Sequence, residues 1–321
     1  MDSGVTNSGS IITVGLCPCW DITCCIEGAD WGEHIVISSQ TFAPAGKALN
    51  VSRALAWLGT ESTAAGLWGK GDHQQMLEGI GPLSEFVRAE FTVVDGRTRS
   101  NITIIDTVGG REMHLRAKSE LATREALAQL GRDVERIVEP GGVCVFAGAM
   151  PEDELLEDCL GVLSLCRSAG ARVVVDSSGV ALKQAVDAGG LWIIKPNLAE
   201  LCELLGRSIT DEPKAIARAA GELLEKVDIV LVSRGEKGAV AVSREVVLQG
   251  MVINNVPASN TVGCGDYLLA GFLDGLSLAD DISSALEKGL KAAGAKAFDW
   301  AQKLNWAEAE SRIEVSVLTI G

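Results

Sequence analysis

The chain has 321 residues, of which 47% are hydrophobic and 22% charged, the composition of a globular protein with a sizeable core. Its formal net charge of −15 argues against a general nucleic-acid or anionic-membrane surface. No apolar run approaches the roughly 20 residues of a membrane span. Residues 1–10 lack the basic and apolar regions of a signal peptide, so we expect a disordered leader and a cytoplasmic protein.

The first part of the chain alternates apolar, β-branched runs with one amphipathic segment. The runs predict strands, and the segment predicts a helix because its apolar residues share one face and a glycine follows them. The predicted elements are a buried strand at 11–16, a strand at 33–42, a helix at 46–59 and a strand at 62–68.

Short strand-like pieces alternate with glycine turns between residues 91 and 116. The turns are Asp95-Gly96 and Gly109-Gly110, which favour hairpins. The pieces lie at 91–94, 101–106 and 111–116. The sequence therefore predicts a small β-sheet lid whose strands are inserted at about 20–45 and 90–118.

After about residue 120, helices and buried strands alternate regularly. The predicted strands lie at 143–147, 172–176, 191–195 and 228–233, and the helices at 123–138, 152–168, 179–187 and 211–226. This rhythm predicts an α/β fold in which helices cover both faces of a mostly parallel sheet, within one domain spanning 11–310. Ligands bind such sheets at the carboxyl ends of the strands.

The segment 260–266, NTVGCGD, is followed directly by an apolar run that suits a helix. A glycine turn at a helix N-terminus directs several backbone N–H groups into one space, which favours a phosphate or a developing anion. Asp266 beside that anion would be placed to remove a proton from an attacking hydroxyl. The alternative is an ordinary Gly-rich loop with Asp266 in the first helical turn, and this segment alone leaves both open.

Two further segments carry cations close to small residues. Gly46 and Lys47 open the predicted helix at 46–59, and Arg97 and Arg99 precede a strand. Lysine beside an approachable backbone, and paired arginines, both suit a phosphate. A capped helix with a solvated lysine and a charged hairpin turn explain the same residues without a ligand.

Two polar turns follow predicted strands of the sheet. Asn197 and Glu200, in KPNLAE, lie three residues apart, which suits either a hydrated Mg²⁺ or a helix capping box. The turn SRGEKG at 233–238 could form the floor of a nucleotide site or be only a hairpin. The chain has no GxxxxGK[ST] motif, which argues against a P-loop NTPase.

Taken in chain order, these segments resemble the motifs of ribokinase-like sugar kinases, and most closely the phosphofructokinase-B branch. The matching segments are CPCWD with Asp21, AGKALNV, GRTRSN, DSSG at 176–179, KPNLAEL, SRGEKG and NTVGCGD. The resemblance covers roughly residues 11–300 and implies a three-layer α/β/α domain with a β-sheet lid.

The resemblance also assigns roles to residues. It implies Asp266 as the catalytic base, with an anion hole from the backbone N–H groups of Gly263, Cys264 and Gly265. It implies an acceptor site at Asp21, Gly46, Lys47, Asn50, Arg99 and Asn101. It implies an ATP site at Asn197, Glu200, Ser233, Gly235 and Gly238, with Mg²⁺ held at Asn197 and Glu200 through water and phosphate.

The implied function is ATP-dependent phosphoryl transfer to a sugar hydroxyl. A hexose monophosphate of the fructose 1-phosphate, fructose 6-phosphate or tagatose 6-phosphate type is the favoured acceptor. Ala149 replaces a serine that holds substrate phosphate in some members, which keeps open a kinase for an unphosphorylated sugar or nucleoside. A non-catalytic sugar or nucleotide sensor is the alternative of another class.

Two further expectations concern assembly and reactivity. The resemblance implies a homodimer formed through the β lid, with no nucleic-acid or membrane partner. Cys264 at a helix N-terminus could have a lowered pKa and react with thiol reagents. The favoured interpretation is that Cys264 is only a small spacer residue in place of alanine.

Overall fold

The computed structural model describes residues 10–320 except 29, 31, 152, 260 and 280. Most of the predicted leader and Asn260 of the NTVGCGD segment therefore lie outside the described residues. The strands are β1 Ile11–Gly15, β2 Cys19–Ile26, β3 Ser39–Ala45, β4 Ser62–Gly69, β5 Val87–Val94, β6 Ser100–Asp106, β7 Arg111–Arg116, β8 Val143–Ala147, β9 Arg172–Asp176, β10 Leu191–Ile194, β11 Val227–Ser233, β12 Ala239–Ser243, β13 Val247–Val252 and β14 Val315–Thr319. The helices are α1 Lys47–Leu58, α2 His73–Ile80, α3 Arg124–Glu135, α4 Leu156–Ser168, α5 Gly179–Ala188, α6 Leu198–Leu205, α7 Pro213–Gly221, α8 Cys264–Ala279, α9 Ile282–Ala297 and α10 Trp306–Glu310.

In the described part of the chain, ten strands form one large sheet in the order β14-β13-β12-β11-β10-β9-β8-β1-β4-β5. Its pairs are parallel from β11 to β5, and β12, β13 and β14 add antiparallel pairs at one edge. The predicted mostly parallel sheet is confirmed. The sheet extends past the predicted domain end at 310, because β14 pairs with β13.

Alternate residues of the central strands supply two apolar layers, one on each face of the sheet. On β8, Cys144 and Phe146 pack with the layer beneath α3 to α7, whereas Val143 and Val145 pack with the layer beneath α1, α8 and α9. A strand buried on both faces reads as a continuous apolar run, as β8 does. The result is the three-layer α/β/α arrangement that the resemblance implied.

The small sheet has the order β3-β2-β6-β7 among the described residues, and it forms the lid. Its pairing register aligns Asp21, Asn101 and Arg116 in one row across three strands. Ile22, Ile102 and Leu115 form the next row, so they lie on the opposite face. The lid thus has one polar and one apolar face.

Two predictions about the lid were wrong in detail. The strand predicted at 33–42 begins only at Ser39, because β2 pairs with β3 from Cys19 to Cys25 and 33–38 lie beyond that pairing. The piece at 91–94 belongs to β5, which pairs with β4 over eight positions in the large sheet. Asp95-Gly96 therefore leads from one sheet to the other, whereas the predicted hairpin through Gly109-Gly110 is present.

In the described ranges, no helix combines the length and the apolar character needed to cross a membrane.

Candidate active site

Two adjacent cavities lie at the carboxyl ends of the parallel strands, of about 540 Å³ and about 590 Å³. The first is bounded by the lid and is called the lid cavity here, and the second is called the α9 cavity because residues of α9 line it. Asn197, Ser233 and Gly265 line both, so these residues form a shared wall. Two compartments with a common wall can hold two substrates side by side.

Every predicted site residue lines one of these cavities. In the lid cavity lie Asp21, Gly46, Lys47, Asn50, Arg99, Asn101, Asn197, Glu200, Ser233, Gly263, Gly265 and Asp266. In the α9 cavity lie Asn197, Ser233, Gly235, Gly238, Cys264 and Gly265. The structure therefore brings together residues from both ends of the chain.

Asp266 lies in the first turn of α8 and is only 4% exposed. Its Oδ2 accepts a hydrogen bond from Asn50 Nδ2 at 3.0 Å. Burial, and next the negative charge of Asp176, raise the pKa of Asp266 to about 6, against the lowering effects of Asn50 and two lysines. A carboxylate with this pKa is ionised at neutral pH yet basic enough to accept a proton.

The loop before α8 turns at Gly263, whose φ of +82° is in the left-handed region that favours glycine. Its carbonyl accepts the N–H groups of Asp266 at 3.0 Å and Tyr267 at 3.1 Å. Among the described residues, the N–H groups of Gly263 and Gly265 have no acceptor, whereas the N–H of Cys264 donates to Thr261 O at 3.4 Å. Two N–H donors without an acceptor in the described structure therefore belong to residues that line the cavities.

The expected low pKa of the Cys264 thiol is not found. Burial raises its pKa, and this effect exceeds the lowering effect of nearby Lys296. The helix N-terminus does not compensate for the desolvation of the thiolate.

A buried carboxylate, Asp176 at the end of β9, lies between two lysines. Lys47 Nζ donates to its Oδ1 at 3.1 Å, and Lys195 Nζ forms an ion pair with its Oδ2 at 3.1 Å. Asp176 Oδ2 has no hydrogen-bond partner in the described structure, so its contact with Lys195 is an ion pair without hydrogen-bond geometry. A Cβ on Gly265 would lie 3.2 Å from Lys195 Nζ, so this ammonium lies against the first turn of α8.

The sequence reasoning assigned no role to Asp176 or Lys195, although both belong to quoted motifs. A charged residue directly after a buried parallel strand was the available signal. For Lys47, burial lowers the pKa, but Asp176 and other nearby carboxylates, including Asp266, outweigh it, so the net shift is upward. Lys47 therefore remains cationic in the cavity.

Asn197 and Glu200 form the capping box of α6. Glu200 N–H donates to Asn197 Oδ1 at 2.9 Å, and Asn197 N–H donates to Glu200 Oε2 at 2.8 Å. The capping interpretation is therefore confirmed. It does not exclude the Mg²⁺ interpretation, since the capping box leaves Oε1 of Glu200 unused. Within the described ranges, no three His, Cys, Asp or Glu side chains form a metal cluster. One carboxylate oxygen and an amide fit a Mg²⁺ ion that keeps water and phosphate oxygens as its other ligands.

The lid contributes the polar row Asp21, Asn101 and Arg116 to the lid cavity. Asn101 Nδ2 donates to Asp21 Oδ1 at 3.3 Å and to Cys19 Sγ at 3.1 Å. Asn101 Oδ1 is buried and has no partner within the described structure. Arg116 was not predicted, and only the register of β6 with β7 brings it to Asn101.

The guanidinium of Arg99 binds three backbone carbonyls, those of Cys17, Pro18 and Ala117, at 2.9 to 3.3 Å. It therefore fixes the chain that leads into β2. Arg99 still lines the lid cavity and retains two of its five N–H donors.

In the α9 cavity, the turn between β11 and β12 supplies the rim. Gly238 has φ +82°, and a Cβ there would lie 2.0 Å from Gly250 O, so only glycine fits. Apolar side chains line much of the remaining wall, among them Val252, Leu268, Leu290 and Phe298. A flat apolar ring with a polar end fits this surface.

Comparison with known proteins identifies the family of the chain. The family model described as "pfkB family carbohydrate kinase" matches residues 10–298. The chain belongs to this family. PfkB proteins are carbohydrate kinases, so this chain is a sugar kinase, which argues against the sensor alternative.

Two curated PfkB relatives and one solved structure illustrate the similarity. ATP-dependent 6-phosphofructokinase isozyme 2 of Escherichia coli is 30% identical over 248 residues, or 77% of this chain and 78% of that protein. 1-Phosphofructokinase of Haemophilus influenzae is 29% identical and covers 97% of this chain and 95% of its own. Phosphofructokinase-2 of Escherichia coli, solved in complex with substrates and products, has a TM-score of 0.84 at 26% identity, covering 94% of this chain and 100% of that one.

Proposed function

We propose that the protein transfers the γ-phosphoryl group of ATP to a hydroxyl of a hexose monophosphate, with Asp266 as general base. The observation that carries the proposal is the position of Asp266, whose pKa is about 6, beside the wall shared by two cavities. The acceptor binds in the lid cavity and ATP in the α9 cavity. The names of the relatives, 1-phosphofructokinase and 6-phosphofructokinase, support a fructose phosphate as the acceptor.

In the chemical step, Asp266 takes the proton of the acceptor hydroxyl while the hydroxyl oxygen forms a bond to the γ-phosphorus. The bond between the γ-phosphorus and the β,γ-bridging oxygen breaks, and ADP leaves with that electron pair. Negative charge spreads over the γ-phosphoryl oxygens. The N–H groups of Gly263 and Gly265 and the ammonium of Lys195 offset this charge from fixed positions.

Glu200 and Asn197 are the residues that would hold Mg²⁺, through water and phosphate oxygens. When bound, Mg²⁺ would neutralise part of the charge of the ATP phosphates. The capping box holds the side chains of Asn197 and Glu200 in fixed positions at the start of α6.

The acceptor site divides into a hydroxyl end and a phosphate end. Asp21 and Asn101 offer oxygens and an amide suited to sugar hydroxyls, and the unpartnered Asn101 Oδ1 would accept one of them. Arg116 and the remaining donors of Arg99 suit the phosphate already present on the sugar. Lys47 adds a third cation.

An ADP-release screen over sugars, sugar phosphates and nucleosides tests the proposal. We expect turnover with fructose 1-phosphate, fructose 6-phosphate or tagatose 6-phosphate and little with the unphosphorylated sugars. Turnover confined to an unphosphorylated sugar or a nucleoside would move the assignment to that alternative. Absence of turnover with every acceptor would refute the proposal.

We also propose that a second copy of this chain covers the apolar face of the lid in a homodimer. Phe42, Met113 and Leu115 are each more than 40% exposed on that face, which is unusual for neighbouring large apolar side chains. A tetrameric form of Escherichia coli phosphofructokinase-2 supports self-association of related chains. Light scattering after size-exclusion chromatography should give twice the chain mass for the wild type and a monomer for Leu115→Lys. Equal masses for the two proteins would contradict this interface.

A further inference from the structure

The carboxylate of Asp72 is used by the lid instead of by its own helix. Asp72 directly precedes α2 and occupies the N-cap position, yet its side chain makes no capping hydrogen bond. Aspartate at an N-cap normally accepts a backbone N–H of its own helix. The absence of this capping hydrogen bond indicates that the Asp72 carboxylate binds other partners.

Those partners are two residues at the root of the lid. Asp72 Oδ2 accepts Trp20 Nε1–H at 3.1 Å and Thr98 N–H at 3.0 Å, and Asp72 Oδ1 accepts the Thr98 hydroxyl at 3.1 Å. All three residues are at most 6% exposed. Buried hydrogen bonds to an ionised group are among the stronger ones in proteins.

The root of the lid is also pressed directly against the large sheet. A Cβ on Gly69, the last residue of β4, would lie 2.6 Å from the Thr98 nitrogen. Gly69 N–H donates to Thr98 Oγ1 at 3.0 Å. The Trp20 ring stacks on Phe42 with centroids 4.2 Å apart and meets Trp68 edge-on at 5.6 Å.

Asp72 thereby fixes the two strands that carry the polar row of the lid. Trp20 precedes Asp21 on β2, and Thr98 precedes the Arg99–Asn101 segment that enters β6. The two segments are also joined to each other, since Trp20 N–H donates to Arg99 O at 2.8 Å. Asp72 therefore acts together with the backbone contacts of Arg99 to hold the segments that carry Asp21 and Asn101 against the large sheet.

We propose that Asp72 is a positioning residue for the acceptor sugar, acting through Trp20 and Thr98. The proposal rests on the assignment of the lid cavity to the acceptor under the proposed function. Asp72 lines neither cavity, so it acts on the acceptor only through the lid. Under the proposed function ATP binds in the α9 cavity, and neither Trp20 nor Thr98 lines that cavity.

The test compares Asp72→Asn with a matched control. An asparagine has one oxygen, which can serve either the two N–H donors or the Thr98 hydroxyl, so part of the cluster loses its partner. Because an unsatisfied buried donor is unfavourable, we expect the acceptor KM to rise on the order of tenfold. The ATP KM should stay within about twofold, since the ATP site is unchanged. Trp20→Phe, which keeps the ring stacking and removes one donor, should give a smaller change of the same kind.

Asp274→Asn is the control. Asp274 is buried like Asp72, at 4% against 6% exposure. Its carboxylate binds the Thr60 hydroxyl and the Lys288 ammonium, away from the lid. We expect this variant to lose thermal stability without a selective change in the acceptor KM. A parallel rise of both KM values in Asp72→Asn, matching the Asp274 variant, would show a merely structural role and overturn the proposal.

Hydrogen exchange provides a readout independent of turnover. The Asp72→Asn change should speed amide exchange in β2 and β6, and Asp274→Asn should not. If the wild-type protein phosphorylated none of the acceptors, the proposed function would be wrong, and the exchange data alone would still decide whether Asp72 orders these strands. Unchanged amide exchange in β2 and β6 of the Asp72→Asn variant would contradict the proposal that Asp72 holds these two strands in place.

Discussion

Asn50 Nδ2 lies 3.0 Å from Asp266 Oδ2 and joins the N-terminal turns of α1 and α8 at the cavity wall. This hydrogen bond orients the carboxylate and favours its ionised form, while burial opposes ionisation more strongly. The carboxylate of Asp266, the proposed base, is therefore held in one orientation while its pKa of about 6 lets it accept a proton near neutral pH. Its catalytic, titration and stability properties follow from that balance.

Asp266→Asn should reduce phosphoryl transfer by about 10²- to 10⁴-fold, the usual contribution of a general base. ATP binding should persist, because the proposed ATP site is the α9 cavity, which Asp266 does not line. Turnover by ADP release and ATP affinity by calorimetry check the two parts. Near-normal turnover in this variant would remove Asp266 from the mechanism.

The rate should depend on pH through the ionisation of Asp266, whose pKa is about 6. The base must be ionised to act, so kcat/KM should be constant above that pH and fall about tenfold per pH unit below it. Asn50 lowers the pKa of Asp266, so Asn50→Ala should move the acidic limb to higher pH. A profile that does not change between the two proteins would show that Asn50 does not tune the base.

The same burial makes Asp266 unfavourable for folding at neutral pH. Its pKa is raised from 3.8 to about 6, so the protonated form stabilises the fold below pH 3.8 and this stabilisation is lost as the pH rises through 6. Asp266→Asn should therefore increase the free energy of unfolding at pH 8 by up to about 3 kcal/mol. Urea unfolding should show little difference at pH 4. A variant less stable than the wild type at pH 8 would contradict this account.

Arg116→Ala should raise the KM for phosphorylated acceptors roughly 10- to 100-fold, the range for losing a hydrogen bond to a charged group. The KM for an unphosphorylated sugar should not change. Arg111→Ala is the matched control, because Arg111 lies at the other end of β7 and pairs with Asp106 instead of lining the lid cavity. Arg99→Ala is less selective, since it also releases the backbone carbonyls of Cys17 and Pro18.

Sequence periodicity predicted six strands of the large sheet, β1, β4 and β8 to β11, because they are apolar runs buried on both faces, but it gave no bounds for β12, β13 or β14. It placed lid strands at about 20–45 without delimiting β2, a half-exposed strand whose sequence CWDITCCI has no continuous apolar run. It misassigned 91–94 because a parallel pairing with β4 leaves no local signal. The lid was therefore predicted in kind but not in its boundaries.

The position of Asp266 in the first turn of a helix at the cavity was predictable because the loop and the helix start lie in one motif, NTVGCGD. Its role as general base stays a prediction. The site was not predictable where the function arises from contacts between distant residues. Lys47 and Asp176 are 129 positions apart, and only the fold brings them to 3.1 Å. The capping box of Asn197 and Glu200, in contrast, was predictable from their spacing of three residues. The capping geometry alone does not indicate whether a ligand binds there.

The wall shared by the two cavities has a stereochemical consequence. If the hydroxyl and ADP occupy opposite sides of Gly265, the phosphorus passes directly from one oxygen to the other in a single displacement. A γ-phosphoryl group made chiral with oxygen isotopes would then emerge with inverted configuration in the sugar product.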